Sequence, residues 1–339
     1  MAVSVRDVAA LAEVSVGTVS NVLNRPEKVS PTTVERVHAA IAELGFVRND
    51  AARQLRAGRS RSIGLVVLDV RNPFFTDVGR GAEERAAEAG MTVLLGNSDD
   101  DADRERAYLE LFEEQRVAGV LITPFADDLP RLDRLRASGI PVVLVDREAG
   151  DARFSSVSVD DVAGGRLAAE HLLRSGRRRL AFVGGPRSIR QVEDRLAGAR
   201  SAVEATPGAT LEIVETSALT VIEGRAAGAA LRDRDEHARP DAVFAANDLL
   251  AMGVLQALAM SGVDRLRVPE DIALIGYDDI DFASAAVVPL SSIRQPAALI
   301  GRTALDLLLL EAAEAVVPRE QIVFQPELVV RESTGGSAS

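Results

Sequence analysis

From residue 61 onward, the 339-residue chain alternates between short strand-like runs and helical stretches. The strand-like runs cover residues 63–68, 91–95, 117–122, 141–145, 180–183, 242–244 and 272–275. Helical stretches, for example residues 76–89 and 161–174, separate them. Alternation of this kind predicts parallel sheets with helices on both faces, and so long a series of strands favours two such sheets over one.

Residues 4–45 follow a different pattern, which predicts three short helices. Ser4 and Asp7 have the spacing of a capping box, Ser15 can cap the second helix, and Gly45 ends the third. The third helix begins at Ser30-Pro31, where proline is tolerated at the first position. Apolar faces at helical spacing comprise Val5, Val8, Ala9 and Ala12; Val16, Val19, Val22 and Leu23; and Val34, Val37, His38, Ile41 and Leu44.

The composition excludes several classes of protein. There are no cysteines, so disulfides, thiolate zinc sites and cysteine nucleophiles are all absent, as suits a reducing cytoplasm. Arg6 and Asp7 interrupt the N-terminal segment where a signal peptide needs an apolar run. No apolar run approaches the roughly 20 residues that span a bilayer. We therefore expect a cytoplasmic protein without a membrane partner.

The charge is distributed unevenly along the chain. The net charge is −12, but residues 1–61 hold nine basic and six acidic side chains, a net charge of +3. The remaining residues hold 30 basic and 45 acidic side chains, a net charge of −15. A basic head on an acidic body is typical of a module that contacts DNA phosphates and is joined to a soluble sensor.

Residues 8–24 have the spacing of a helix-turn-helix. Ala9 lies where the two helices must cross closely, and Val14 and Val19 fill their junction. A recognition helix contacts base edges with residues near its N-terminus. The second helix presents four such residues outward, namely Val16, Gly17, Thr18 and Asn21. Short side chains suited to phosphate oxygens are Ser15, Ser20 and Asn24. Val16 and Gly17 make no bidentate base contacts, which favours readout of DNA shape. A three-helix bundle with ordinary surface residues is the alternative interpretation.

A set of short motifs carries a resemblance to a known family. They are Val5-Arg-Asp-Val-Ala9, Val14-Ser15, Thr18-Val19-Ser20, Val22-Leu23-Asn24, Val29-Ser30, Leu44-Gly45-Phe46 and Ala51-Ala-Arg-Gln-Leu55. In these motifs the chain resembles the LacI/GalR family of bacterial transcription regulators, and the resemblance continues to about Arg331-Glu332. Glu13 departs from the family, which commonly has glycine in this turn. A left-handed backbone at Glu13 would cost roughly 1 kcal/mol.

The linker, residues 47–61, is polar and basic, and its residues 49–56 contain good helix formers behind an Asn cap. So short a helix is marginal alone in water. The resemblance implies that it becomes a hinge helix on operator DNA, with Leu55 and its dimer mate wedged into the central base step from the minor groove. Asn49, Arg53 and Arg56 would add contacts to the groove or the phosphates. Packing of Leu55 on the sensor is the alternative.

The resemblance also implies the fold of the body. We expect an α/β protein with an all-α helix-turn-helix head, residues 1–46, and a doubly wound, two-lobed sensor of the type I periplasmic-binding-protein kind, residues 62–332. Lobe 1, near the DNA, would comprise residues 62–160 and 293–318. Lobe 2 would comprise residues 161–292 and 319–332. The low-complexity tail, residues 333–339, is expected to be disordered.

Ligands of such sheets bind beyond the carboxyl ends of the strands, here between the lobes. The predicted effector-binding residues, some placed only by the resemblance, are Asn72, Phe74, Phe75, Asp146, Arg147, Arg195, Leu219, Asn247, Asp278 and Gln295. The phenyl rings could stack on a sugar or a base, although one of them could belong to the core. Carboxylates and an arginine in one cleft would bind vicinal hydroxyls. Leu219 stands where relatives are often aromatic, and each polar residue could instead serve a turn or cap.

These observations predict a sequence-specific transcription regulator, expected to be a repressor. The resemblance implies a homodimer that reads a near-palindromic operator. A small polar effector, a sugar or a nucleoside, would change its affinity for DNA. No cofactor, metal or catalytic residue is expected, because the chain lacks the glycine-rich phosphate loops of nucleotide-dependent enzymes. The alternatives are a sugar or nucleotide enzyme and a plain solute-binding protein, which would need a secretion signal and no DNA-binding head.

Overall fold

The computed structural model describes residues 3–46, 60–125, 129–150, 153–259, 265–313 and 318–336. Contacts divide the chain into two compact units, residues 1–59 and 60–339. Ser60 and Arg61, placed in the linker by the sequence, belong to the second unit. Ser60 is buried, and Arg61 Nε donates a hydrogen bond to the carbonyl oxygen of Gly90 at 3.0 Å. The predicted hinge residues Asn49, Arg53, Leu55 and Arg56 lie outside the described residues.

The described part of the first unit, residues 3–46, has three α-helices. They are α1 (Val5–Leu11), α2 (Val16–Asn24) and α3 (Pro31–Leu44), with a 3₁₀ turn at Pro26–Lys28. Their buried side chains form a separate small core of Val8, Ala9, Ala12, Val19, Val22, Val37 and Ala40. His38 was predicted to face inward, and this is wrong: it is exposed. The buried stripe of α3 passes through Val37 and Ala40, which leaves position 38 on the adjoining face.

The turn between α1 and α2 contains the expected left-handed residue. Glu13 has φ 51°, a conformation that costs a side chain with a Cβ about 1–2 kcal/mol. Arg36 on α3 compensates, because its Nη2 donates hydrogen bonds to the carbonyl oxygens of Ala12 at 2.6 Å and Glu13 at 3.2 Å. These bonds satisfy carbonyl groups that the end of α1 leaves without helical partners.

Lobe 1 of the second unit is built on a six-stranded parallel sheet. Its strands are β1 (Ser62–Val67), β2 (Thr92–Asn97), β3 (Val120–Ile122), β4 (Val142–Val145), β5 (Ser155–Val159) and β11 (Gln321–Phe324), in the order β11-β5-β4-β3-β1-β2. Its helices are α4 (Pro73–Glu88), α5 (Ala102–Glu114), α6 (Leu129–Ala137) and α12 (Ala297–Ala313). The central strands are buried, as expected for a sheet that helices cover on both faces.

Two glycines let α4 and α12 cross closely. A Cβ atom at Gly81 would overlap the carbonyl oxygen of Ala298, and one at Gly301 would overlap the carbonyl oxygen of Val78. The two helix backbones therefore touch where these residues meet, which fixes the position of α4. Only residues 68–72 connect β1 to α4, so this crossing also positions that short connection at the carboxyl end of the sheet.

Lobe 2 has a four-stranded parallel sheet in the order β7-β6-β8-β9. The strands are β6 (Arg179–Val183), β7 (Thr210–Val214), β8 (Ala242–Ala245) and β9 (Ala273–Ile275). The helices are α7 (Asp161–Arg174), α8 (Arg190–Glu204), α9 (Val221–Arg232), α10 (Asp248–Ala259) and the short α11 (Asp281–Ser284). The parallel strand and helix alternation agrees with the predicted fold class.

An antiparallel ribbon of β10 (Ser292–Arg294) and β12 (Glu327–Val329) accompanies the crossings between the lobes. Residues 319–332 were predicted to lie in lobe 2, and this is wrong for β11, which pairs with β5 in the sheet of lobe 1. Asp279 ties the ribbon to its surroundings, since it accepts from Arg294 Nε at 2.7 Å and Arg331 Nη1 at 2.6 Å.

The start of the predicted disordered tail is ordered. A 3₁₀ turn covers Glu332–Thr334, and both Ser333 and Thr334 are buried. Ser333 Oγ donates to the carbonyl oxygen of Leu274 at 2.6 Å, and Thr334 Oγ1 lies 2.7 Å from both Ser291 Oγ and His171 Nε2. The small polar side chains of Ser333 and Thr334, which led to the prediction of disorder, instead form hydrogen bonds that order this segment. In the described part of the chain, no helix is both long and apolar enough to cross a membrane.

Candidate functional site

A cleft lies between the two lobes, at the carboxyl ends of both sheets. Segments that follow β1, β2 and β4 line it from lobe 1, while the start of α8 and the segments that follow β7, β8 and β9 line it from lobe 2. Its volume is about 550 Å³, including the part open to solvent. This position, beyond the carboxyl ends of the parallel strands, is where ligands of such sheets bind.

Phe74 and Phe75 form one wall of the cleft at the N-terminus of α4. Their ring centroids are 5.1 Å apart in an edge-to-face arrangement, and both rings are buried in the core of the sensor as well as lining the cleft. Asn72 begins this helix, because its Oδ1 accepts from the Phe74 backbone N–H at 3.1 Å. Each of the two rings therefore belongs both to the core and to the wall of the cleft.

Asp278 has three polar side chains close to its carboxylate among the described residues. Its Oδ2 accepts from Asn72 Nδ2 at 2.9 Å, and its Oδ1 accepts from Gln295 Nε2 at 2.8 Å. Arg195 Nη1 is 3.7 Å from Oδ1. Burial raises the pKa of Asp278, while Arg195 and the two amides act in the opposite direction. The bond from Asn72 joins a lobe 1 loop to lobe 2.

Arg195 lines the cleft and is held from three sides. Its Nε donates to Asp161 Oδ1 at 2.8 Å, and its Nη1 donates to the carbonyl oxygen of Ala246 at 2.8 Å. The guanidinium carbon lies 3.7 Å from the ring centroid of Tyr277, a cation–π contact. Only 4% of Arg195 is exposed. The sequence did not identify Asp161 or Tyr277, since an aspartate at a helix start resembles an ordinary capping residue.

Asp146 is linked across the cleft by Gln191. Gln191 Nε2 donates to the carbonyl oxygen of Asp146 at 2.6 Å and to its Oδ2 at 2.9 Å. The other carboxylate oxygen, Oδ1, is buried and has no hydrogen-bond partner among the described residues. Burial raises the pKa of Asp146 well above its usual value, and the nearby Asp161 raises it further. Gln191 was not predicted, because a single glutamine at a helix start carries no motif.

Asn247 and Leu219 line the lobe 2 side. Asn247 Oδ1 accepts from the Leu250 backbone N–H at 2.9 Å, and its Nδ2 donates to the carbonyl oxygen of Leu219 at 3.3 Å. Arg147 and Gln295 are not among the described residues that line the cleft. Gln295 instead supports Asp278 and faces a neighbouring groove that it shares with Phe74.

Three further charged residues that line the edge of the cleft were not predicted: Asp69 and Asp100, which are half-buried, and Arg71, which is exposed. Arg71 Nε is 2.9 Å from Asp69 Oδ1, and its Nη2 is 2.8 Å from Asp99 Oδ1. Asp100 follows β2 with φ 54°. Burial raises the pKa of Asp100 to about 6, with further increases from Asp69 and Asp99. The sequence shows Asp99 and Asp100 only as part of an acidic turn.

In the first unit, α2 presents the predicted DNA-reading positions. Val16, Gly17 and Asn21 are exposed, while Thr18 is half-buried. Ser15 caps the helix, because its Oγ accepts from the Thr18 backbone N–H at 3.0 Å. The remaining predicted phosphate contacts bond to each other, with Asn24 Nδ2 donating to the Ser20 carbonyl oxygen at 2.8 Å. The exposed side chains near the start of α2 are thus small and accessible.

Comparisons with known proteins agree with both units. Residues 4–49 match the bacterial regulatory proteins of the lacI family, and residues 169–334 match the periplasmic binding protein-like domain. The ribose operon repressor of Halalkalibacterium halodurans is 34% identical over 333 residues, 98% of this chain and 97% of the relative. The chain belongs to the lacI family. This lacI-family protein is therefore a DNA-binding transcription regulator and not an enzyme, as the sequence predicted.

Other proteins similar to this lacI-family regulator are also transcription regulators. The HTH-type transcriptional repressor PurR of Photobacterium profundum is 32% identical, with 97% of this chain and 98% of the relative covered. A lac repressor dimer bound to operator and the anti-inducer ONPF has a TM-score of 0.81 at 29% identity, covering 98% of this chain and 99% of that one. A lacI-family regulator from Enterococcus faecium with bound ribose has a TM-score of 0.73 at 28% identity, covering 80% and 98%.

Proposed function

We propose that this lacI-family regulator is a repressor whose affinity for its operator is set by a sugar bound between the lobes, with D-ribose as the first candidate. The observation that carries the proposal is the Asp146 side chain. It is buried against the cleft, and its Oδ1 has no partner among the described residues. Leaving a buried acceptor unpaired costs about 1–3 kcal/mol, which a hydroxyl donated by the effector would offset.

The rest of the cleft supports the same class of effector. Phe74 and Phe75 offer apolar surface against which a sugar ring can pack, while Asn247 and Asp278 offer polar atoms for its hydroxyls. The ribose operon repressors among the relatives, and the neighbour solved with ribose, make a pentose the first choice. A nucleoside is the second candidate, since the same two rings could stack on a base.

We propose that the DNA is read by a homodimer at a near-palindrome, in the bacterial cytoplasm. The head, residues 1–46, would place the start of α2 in the major groove, where Val16, Gly17, Thr18 and Asn21 meet base edges and Ser15, Ser20 and Asn24 meet phosphates. In the linker, Asn49, Arg53, Leu55 and Arg56 would contact the minor groove. An effector that touches both lobes would change their relative angle and hence the dimeric hinge, a coupling typically of about 1–3 kcal/mol.

The test begins with selection of binding sites from random duplex DNA by the full-length protein. Operator affinity is then measured by fluorescence anisotropy with and without D-ribose and adenosine. We expect ribose to change the operator Kd about 5- to 150-fold. The Asp146→Asn variant should keep operator affinity and lose the response to ribose.

The matched control is Asp306→Asn, which changes an exposed carboxylate paired with Arg85 on the outside of lobe 1. This variant should respond to ribose as the wild type does. A response to adenosine but not to D-ribose would show that the effector is a nucleoside and not a free sugar. No selective, salt-sensitive DNA binding, or no response to any sugar or nucleoside, would contradict it.

A further inference from the structure

Most of the charged residues that line the cleft are acidic. Among the described residues that line it, four are aspartates, Asp69, Asp100, Asp146 and Asp278, and two are arginines, Arg71 and Arg195. Both guanidinium groups already face carboxylates. Arg195 is bonded to Asp161, and Arg71 is paired with Asp69 and Asp99. An anionic group that entered the cleft would therefore meet carboxylates without gaining a cation of its own.

The acidic groups lie at two depths. Asp146 and Asp278 are buried, whereas Asp69 and Asp100, which we call the rim carboxylates, are half-buried. Among the described residues that line the cleft, two buried oxygens have no hydrogen-bond partner, Asp146 Oδ1 and Asp100 Oδ1. Both are carboxylate oxygens, which accept hydrogen bonds when ionised. Such oxygens are satisfied by O–H or N–H groups and repel a phosphate, because like charges in contact cost several kcal/mol.

We propose that the rim carboxylates, Asp69 and Asp100, make the cleft selective for uncharged effectors and exclude their phosphorylated counterparts. This inference rests on the proposed function and narrows it, because a sugar and its phosphate share every hydroxyl contact except one. The regulator would thus respond to a sugar before it is phosphorylated and be indifferent to the product of a sugar kinase.

The experiment uses two matched pairs of compounds, D-ribose with ribose 5-phosphate and adenosine with adenosine 5′-monophosphate. Binding to the full-length protein is measured by calorimetry at pH 8. We expect the phosphorylated member of the binding pair to bind at least 100-fold more weakly than the neutral one. The Asp100→Asn variant should reduce this ratio about tenfold, and adding Asp69→Asn should reduce it again. Asparagine tolerates the positive φ of residue 100, so the fold should survive.

The matched control is Asp103→Asn, which removes the same charge from a nearby, exposed residue that does not line the cleft. It should leave the ratio unchanged. A phosphorylated compound that binds the wild type as tightly as its neutral partner would overturn the inference while leaving the effector cleft in place. An unchanged ratio in the rim variants would overturn the role of Asp69 and Asp100. If no compound of either pair binds, the sugar and nucleoside proposal fails, and the inference fails with it.

Discussion

Replacing Arg195 with methionine tests how much the buried positive charge in the cleft wall contributes to stability. Methionine keeps most of the apolar stem but removes the bonds to Asp161 and to the Ala246 carbonyl oxygen, each 2.8 Å long. It also removes the cation above the ring of Tyr277. Asp161 and Asp278 would then be buried without an opposing charge.

The expected loss is large because the site is closed to solvent. Removing one partner of a buried ion pair costs about 3–5 kcal/mol, since the remaining charge stays desolvated. In a sensor of this size, 1 kcal/mol corresponds to about 2–4 °C, so the Tm of the sensor should fall by about 10 °C. The neighbouring Arg190→Met variant, on the same helix, removes an exposed i,i+4 pair with Asp194 and should cost less than about 0.5 kcal/mol.

The loss should depend on pH. Burial already raises the pKa of Asp161 and Asp278, and removal of Arg195 raises both further. The ionised form of such a carboxyl is disfavoured in the folded state, so the penalty is complete at high pH and is relieved as the pH falls through the raised pKa. The gap in Tm between Arg195→Met and the wild type should therefore be wider at pH 8 than at pH 5.

Differential scanning calorimetry of the full-length protein at both pH values provides the measurement. Adding Asp161→Asn to Arg195→Met removes one uncompensated charge and should restore part of the lost Tm at pH 8. A Tm within about 2 °C of the wild type at pH 8, or a gap that does not vary with pH, would refute the reasoning, because the buried charges would then be hydrated or otherwise satisfied.

Three further predictions concern single positions. Glu13→Gly relieves about 1–2 kcal/mol of left-handed strain against about 0.5–1 kcal/mol of glycine entropy, so thermal unfolding of the head should shift upward. A lower Tm would show that the turn is unstrained. Gly301→Ala places a methyl group on the Val78 carbonyl oxygen and should cost about 1–3 kcal/mol by urea unfolding, unless the two helices separate freely. Ribose that donates a hydroxyl to Asp146 should lower its raised pKa and release protons, so affinity should rise with pH. A calorimetric enthalpy that is the same in buffers of different ionisation enthalpy would contradict this.

The sequence predicts well those features that depend on neighbouring residues. Ser4 and Asp7 do form a cap, with hydrogen bonds of 2.8 and 2.7 Å, and α3 ends at Gly45 with φ 61°. Asp146 and Asp278 line the cleft because the carboxyl ends of parallel strands meet at one edge of each sheet. The order of the elements therefore places such residues near the cleft, but it does not decide which of them line it, since Arg147 also follows β4 and is not among the described lining residues.

Features that depend on distant pairing could not be predicted in this way. The strand β11 has the same local pattern whichever lobe it joins, and only its pairing with β5 decides the outcome. Gln191 reaches Asp146 across the cleft from a position that sequence shows only as a helix start. Asp161 acts through Arg195, which lies 34 residues further along the chain. Each requires the folded arrangement of both lobes.

The buried hydroxyls of Ser333 and Thr334 have a practical consequence for work with this protein. They fasten the end of the chain to Leu274, Ser291 and His171, in the framework of lobe 2. Trimming the chain at Glu332, as a low-complexity tail would invite, removes one hydrogen-bond partner from each of Leu274, Ser291 and His171. An affinity tag or a fused reporter should therefore be appended after Ser339.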